Sequence, residues 1–125
     1  MDTATDPKTA AVTGSIDAHH HLWNYDAVRD AWITEDMGAI RRDFTAGDLF
    51  GVFTGNDVSG SVVVQADPSE KETSFLVDIA ARHDFIKGVV GWIDLSDERV
   101  EERLAFYRRT APLVKGFRHI VQAEP

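Results

Sequence analysis

The sequence contains no cysteine. That excludes a disulfide framework and any thiolate chemistry. Positive charge is also scarce: 13 Lys and Arg stand against 21 Asp and Glu, giving a formal net charge of -8 at pH 7. A nucleic-acid backbone or an anionic membrane surface needs clustered cations, so neither is an expected partner. No apolar run approaches the ~20 residues of a membrane span. Met1 to Gly14 has neither the basic nor the apolar segment of a secretory signal and reads as a flexible leader. The expected setting is cytoplasmic. What remains is enough for a core: 43% of the 125 residues are hydrophobic, consistent with at most one ordinary domain.

The densest chemistry is the segment Ile16-Asp17-Ala18-His19-His20-His21-Leu22-Trp23, which holds three of the five histidines. If Ser15 to Ala18 ends a β-strand, His19 and His21 leave the backbone on one side, because strand side chains repeat every two residues. Two imidazoles so placed can converge on one divalent cation. The alternative is a surface cluster or a tag remnant, but the triplet is framed by Asp17 and Leu22-Trp23 rather than by linker residues. His20 points the other way and reads as structural. Asp17 either orients an imidazole or caps a turn.

Strands and helices then alternate. Ser61 to Ala66 is a β-branched run, as expected of a strand buried on both faces. Ser69 with Glu72 three residues later fits a capping box for a helix that places Leu76, Ile79, Ala80 and His83 on one stripe and ends near Asp84. Ile86 to Ile93 reads as the next strand. Ser96 or Asp97 can cap a helix with apolar positions Val100, Leu104, Tyr107 and Ala111, stopped by Pro112. Leu113 to Val121 is a further strand candidate. Earlier, Trp23 to Met37 reads as a long loop and Thr45 to Phe53 as a helix capped by Thr45. The whole is an α/β chain of the order (βα)3β with parallel strands.

Four such strands do not close a barrel, which typically takes about 250 residues. The chain stops at Glu124-Pro125, directly after a strand with an apolar edge. The expectation is the first half of something larger, residues 15–125 forming an incomplete domain.

Several segments together resemble the amidohydrolase-related TIM-barrel hydrolases, and within them the sugar-lactonase branch of fuconolactonase- and rhamnonolactonase-like proteins. They are the Asp17-x-His19-x-His21-x-Trp23 opening, Ala31-Trp32-Ile33 with Met37, Arg42-Asp43-Phe44, Val64-Gln65-Ala66, Gly88 to Leu95, and Lys115 to His119 with Gln122. The resemblance implies the N-terminal half of a (β/α)8 TIM barrel. It implies that His19 and His21 bind a divalent metal, usually zinc, which polarises a lactone carbonyl and acidifies water. The implied reaction is opening of a sugar lactone or similar cyclic ester, a small-molecule substrate, by attack of metal-bound water. The family's general base would lie beyond residue 125, so no catalytic base is assigned here. The alternative is a non-catalytic half-barrel or truncated gene product that needs a partner or the missing half, with self-association through its sheet edges.

Four residues are candidate substrate contacts: Trp32, Gln65, Arg118 and His119. Arg118 and His119 end the last strand, where a barrel builds its site. The Arg118 fork suits a carboxylate or lactone oxygen; the plainer reading pairs Arg118 with Glu124 and makes His119 a core histidine. Gln65 either meets substrate or fills a buried hydrogen-bonding role. Trp32 and Trp23 flank the loop after the first strand, and aromatic faces stack on sugar rings. Trp23 equally suits loop anchoring. Trp92 is expected between strand and helix, His83 as structural, and Ser96 to Glu102 as a solvated helix start.

Overall fold

The structure is a computed structural model that describes residues 14–122 and 124–125. Apart from Gly14, the expected leader lies outside the described residues. Strands β1 (Ser15–His20), β2 (Val58–Val64), β3 (Ile86–Gly91) and β4 (Val114–Phe117) form one parallel sheet in sequence order. Helices α1 (Ala46–Thr54), α2 (Glu70–Arg82) and α3 (Val100–Thr110) connect them. The expected (βα)3β order is present. A short 3-10 helix, Glu35–Ile40, lies in the long loop after β1.

The core follows from residue type. Val63, Ile86 and Val89 are fully buried on the sheet, where branched side chains pack well on a pleated surface. Against them lie Leu76, Ile79 and Ala80 of α2, with Leu22 and Ala46 closing the cluster. A smaller cluster joins Ile93 to Tyr107 and Ala111. The α2 stripe therefore packs as its spacing predicts, and His83 sits half-buried as the C-cap.

Local signals resolve differently at three points. At α1 the capping box is complete: the Thr45 hydroxyl accepts from Asp48 N while Asp48 accepts from Thr45 N. At α2 only half of the expected box forms. Ser69 Oγ accepts from Glu72 N at 3.1 Å, but the Glu72 carboxylate turns to Ala66 N (2.7 Å) and Asp67 N (3.3 Å) instead. Those two loop amides lie beyond the last residue of β2, and the carboxylate gives both of them a part-buried acceptor. At α3 the cap is Arg99 without a side-chain bond, not Ser96 or Asp97. Those residues build the turn before the helix: Ser96 donates to Asp94, and Asp97 accepts from Arg99 N at 2.8 Å. Leu104 is 41% exposed, so the expected α3 stripe reduces to Tyr107 and Ala111, with Val100 partly buried.

Close approach fixes α2 on β3. A Cβ added to Gly91 would lie 2.7 Å from Thr73 Cγ2, so only glycine lets the helix sit there. Because all four strands are parallel, their C-terminal ends share one side of the sheet. His19 to His21, Gln65, Trp92 and Arg118 all lie at that end.

Candidate active site

The alternation of β1 separates the three histidines as the two-residue period requires. His19 and His21 share a side, with their Nε2 atoms 3.3 Å apart and ring planes at 81°. His20 faces the other way, 2.9 Å from Ser61 Oγ and edge-on to Phe53. Burial pushes the His20 pKa down to about 4, only partly opposed by Asp17. It is a neutral packing residue, as expected.

The ring of His21 is held in one tautomer. Its Nδ1 lies 2.9 Å from the Val64 carbonyl oxygen. A carbonyl only accepts, so Nδ1 donates and the Nε2 lone pair is left facing His19. Such an outer hydrogen bond fixes tautomer and ring orientation in metal-ligating histidines. Burial lowers the His21 pKa; the Val64 bond works against this and the nearby Arg118 charge adds to it. Asp17 Oδ1 accepts from His19 N at 3.0 Å, so of its two expected roles it takes the turn cap.

The pair fits a zinc ion. Two nitrogens bound at 2.0–2.1 Å with a tetrahedral angle stand about 3.3–3.4 Å apart, which is the spacing of the two Nε2 atoms. Among the described residues, no group of three or more His, Cys, Asp or Glu is arranged to hold a metal. His19 and His21 are two nitrogen donors at a spacing that such an ion could bridge.

Beside the pair opens a cavity of about 520 Å³, lined by His21, Trp23, Trp32, Arg29, Glu72 and Arg118 among others. Trp32 is 64% exposed at its rim. Trp23 also lines it, bridged by its backbone to Phe44 and packed on that ring at 4.5 Å with the planes tilted by 43°, so it anchors the loop and faces the cavity at once.

The other two expected contacts do not reach the cavity. Gln65 is 0% exposed. Its Oε1 accepts from Arg118 Nε, its backbone oxygen accepts from Arg118 Nη2 at 2.7 Å, and its Nε2 donates to Asp67 O at 3.2 Å. Of its two expected roles, the structure shows the buried hydrogen-bonding one. His119 is exposed and pairs with Glu124 at 3.0 Å, so it is neither a core histidine nor a cavity residue. Glu124 thus takes His119 rather than Arg118, whose side chain belongs to Gln65.

Sequence reading missed Arg29, Asp30 and Glu72. Arg29 donates to Asn24 O (2.6 Å) and to Asp30 Oδ1 (2.8 Å), and Asp30 Oδ2 accepts from Asp26 N (3.0 Å). Asp30 is only 7% exposed. This lock gives the loop after β1 its shape and sets Trp32 and Ile33 at the cavity. The Asp26 to Asp30 spacing is the only hint in the sequence, and a loop without periodicity does not reveal it. Glu72 is 5% exposed; burial raises its pKa while the Ala66 and Asp67 amides work against the rise.

A family model described as "Amidohydrolase" matches residues 16–125. The chain belongs to the amidohydrolase family. Two relatives, each named L-fucono-1,5-lactonase, come from Burkholderia multivorans and Burkholderia ambifaria. They are 38% identical over 109 residues and 35% identical over 111 residues. These matches take in 87% and 89% of this chain but only 36% and 38% of the relatives. Two crystal structures of an amidohydrolase from Burkholderia multivorans, one with bound Zn and one with bound HEPES, superpose with a TM-score of 0.81 at 37% identity. They share 90% of this chain and 39% and 38% of those chains. The parallel sheet and its helices are thus part of an amidohydrolase TIM barrel, and the chain spans well under half the length of the relatives it matches.

Proposed function

We propose that this chain supplies the first part of a metal-dependent hydrolase that opens a sugar lactone or a similar cyclic ester. The observation that carries the reading is the His19–His21 pair, Nε2 to Nε2 at 3.3 Å, beside a cavity holding Arg118. Family membership and the lactonase names of the relatives support it. A divalent cation such as zinc, when bound, supplies Lewis acidity at the ester carbonyl and acidifies water. His21 offers Nε2 because its Nδ1 proton is spent on Val64. Arg118 directs its free donors at a lactone oxygen or at the carboxylate formed. Trp23 and Trp32 cover the ring with their faces, which shields it from bulk water. No residue of this chain is assigned as general base.

The test measures zinc binding and hydrolysis of L-fucono-1,5-lactone to L-fuconate. It uses this chain, its His19→Ala and His21→Ala variants, and a chain continued past Pro125 with a relative's sequence. The reading expects zinc binding that both substitutions abolish, and lactone opening in the longer chain. Zinc binding indifferent to both substitutions would sink it.

A second reading is a non-catalytic half-barrel that associates through its sheet edges. It is favoured by β1 and β4, each of which pairs with one strand only among the described residues. Size-exclusion chromatography with light scattering separates the two: concentration-dependent dimers without zinc binding favour this second reading.

A further inference from the structure

We propose that Gln65 is a positioning residue that holds the guanidinium of Arg118 in a fixed plane, with its remaining donors facing the cavity beside His21. The inference rests on the reading of Arg118 as a lactone contact only for its functional consequence; the clamp itself stands on geometry. Gln65 follows β2 and Arg118 follows β4, with β3 between them. Their backbones hang on successive β3 carbonyls, Gln65 N on Val90 O at 2.8 Å and Arg118 N on Gly91 O at 3.1 Å. The arginine side chain then crosses β3 and lands twice on Gln65, Nε on Oε1 and Nη2 on the backbone oxygen. Two bonds from one planar fork fix its orientation. Three of its five N–H donors remain, and among the described residues Nη1 has no hydrogen-bond partner.

The amide is itself held. Gln65 Nε2 donates to Asp67 O, which sets its oxygen toward Arg118. Complete burial keeps water from substituting for either partner. A core position needs no amide for packing, and burying one is costly unless it is bonded. Here every bond the side chain makes serves Arg118 or the turn that follows Gln65. The end of β2 thereby holds two site residues on adjacent carbonyls, His21 on Val64 O and Arg118 on Gln65 O. The rotamer freedom of Arg118 is lost on folding rather than on ligand binding, which is how pre-organisation raises affinity.

The experiment follows the Arg118 Nε–H signal in ¹⁵N-labelled 125-residue chain, assigned by its loss in Arg118→Lys. That proton should exchange with water at least about tenfold more slowly than the Nε–H of exposed Arg109. Gln65→Leu should accelerate the exchange about tenfold. Gln65→Glu, which keeps an acceptor at that place, should leave it slow. If Gln65→Leu fails to fold, Gln65→Asn removes the reach by one methylene and should give the same acceleration. In parallel, L-fuconate binding is followed by chemical-shift titration, and Gln65→Leu should weaken it about tenfold. A slow Arg118 signal in Gln65→Leu or Gln65→Asn overturns the proposal, even if that variant melts lower. So does unchanged fuconate affinity with Arg118 released. If the wild-type chain binds no fuconate but the exchange pattern is as expected, the clamp stands and the reading of Arg118 as a lactone contact of this chain fails.

Discussion

His21 and Val64 are joined by a 2.9 Å hydrogen bond from the imidazole Nδ1 to a strand carbonyl. The bond lies between neighbouring strands, so the parallel pairing of β1 and β2 itself sets the ring. Because burial also lowers the His21 pKa, protons compete with a metal at its Nε2 less than at a free imidazole. Zinc affinity measured with a competing dye should fall at least about tenfold in His21→Ala, the scale on which even outer-shell losses act. Across pH 8 to 5, the proton release that accompanies binding should place the His21 contribution below the ordinary histidine value of about 6.5. A His21 release step at or above that value would contradict this.

The opposite face of the same strand predicts how stability depends on pH. The His20 pKa is pushed down to about 4 by burial. A group whose folded value lies below its unfolded value binds more protons when unfolded, so stability rises with pH between the two. The His20 contribution is complete above about 6.5 and is lost as pH falls toward 4. Urea unfolding between pH 7 and 4 should show this slope, and His20→Gln should flatten it. The lowered His21 pKa acts with the same sign, so flattening in the single variant is partial.

Thr73 and Gly91 predict the cost of loosening α2. Thr73 Oγ1 lies 2.8 Å from both the backbone N and the backbone O of Trp92, accepting from one and donating to the other. Thr73→Val keeps the shape and strips both bonds, leaving buried backbone groups bare at ~1–3 kcal/mol. Gly91→Ala places a methyl 2.7 Å from Thr73 Cγ2 and should cost about 1–3 kcal/mol as overpacking. The two residues touch, so the double variant should depart from additivity by more than ~0.5 kcal/mol in denaturant unfolding.

Much of this was legible in the sequence because it rests on local periodicity. The β-branched run Val62 to Val64 reads as a strand buried on both faces and the Leu76, Ile79, Ala80 stripe as a helical repeat; Val63 and Val64 are buried, and Val63 packs with the stripe in one core cluster. The sides taken by His19, His20 and His21 follow from the same rule. What escaped depends on partners far along the chain. Gln65 meets Arg118 across 53 positions, and nothing near either residue announces the other. Leu104 has the right spacing for a core position but too little structure over it among the described residues. Asp26, Arg29 and Asp30 lie close in sequence, yet they form a loop lock whose geometry has no period to detect.

Glu72 shows where a local signal was outbid by a stronger demand, and it yields the last prediction. Its position relative to Ser69 suits a capping box, yet its carboxylate serves Ala66 N and Asp67 N in the loop that follows Gln65. Glu72→Ala should strip both part-buried amides of their acceptor and cost roughly 1–3 kcal/mol in all. Glu72→Gln keeps one acceptor oxygen and should cost less than half of that at acid pH. The two must also differ in pH response. Burial raises the Glu72 pKa, so its folded form holds a proton more tightly than its unfolded form. Its stabilising contribution is present below the unfolded value of about 4.3 and is lost as pH rises through the folded value. Glu72→Gln has no such loss. The stability difference between wild type and Glu72→Gln should therefore shrink as pH rises from 4 to 7, measured by urea unfolding at fixed ionic strength. A gap that widens over that range would mean the carboxylate is stabilised as an anion, with its two amide donors outweighing burial.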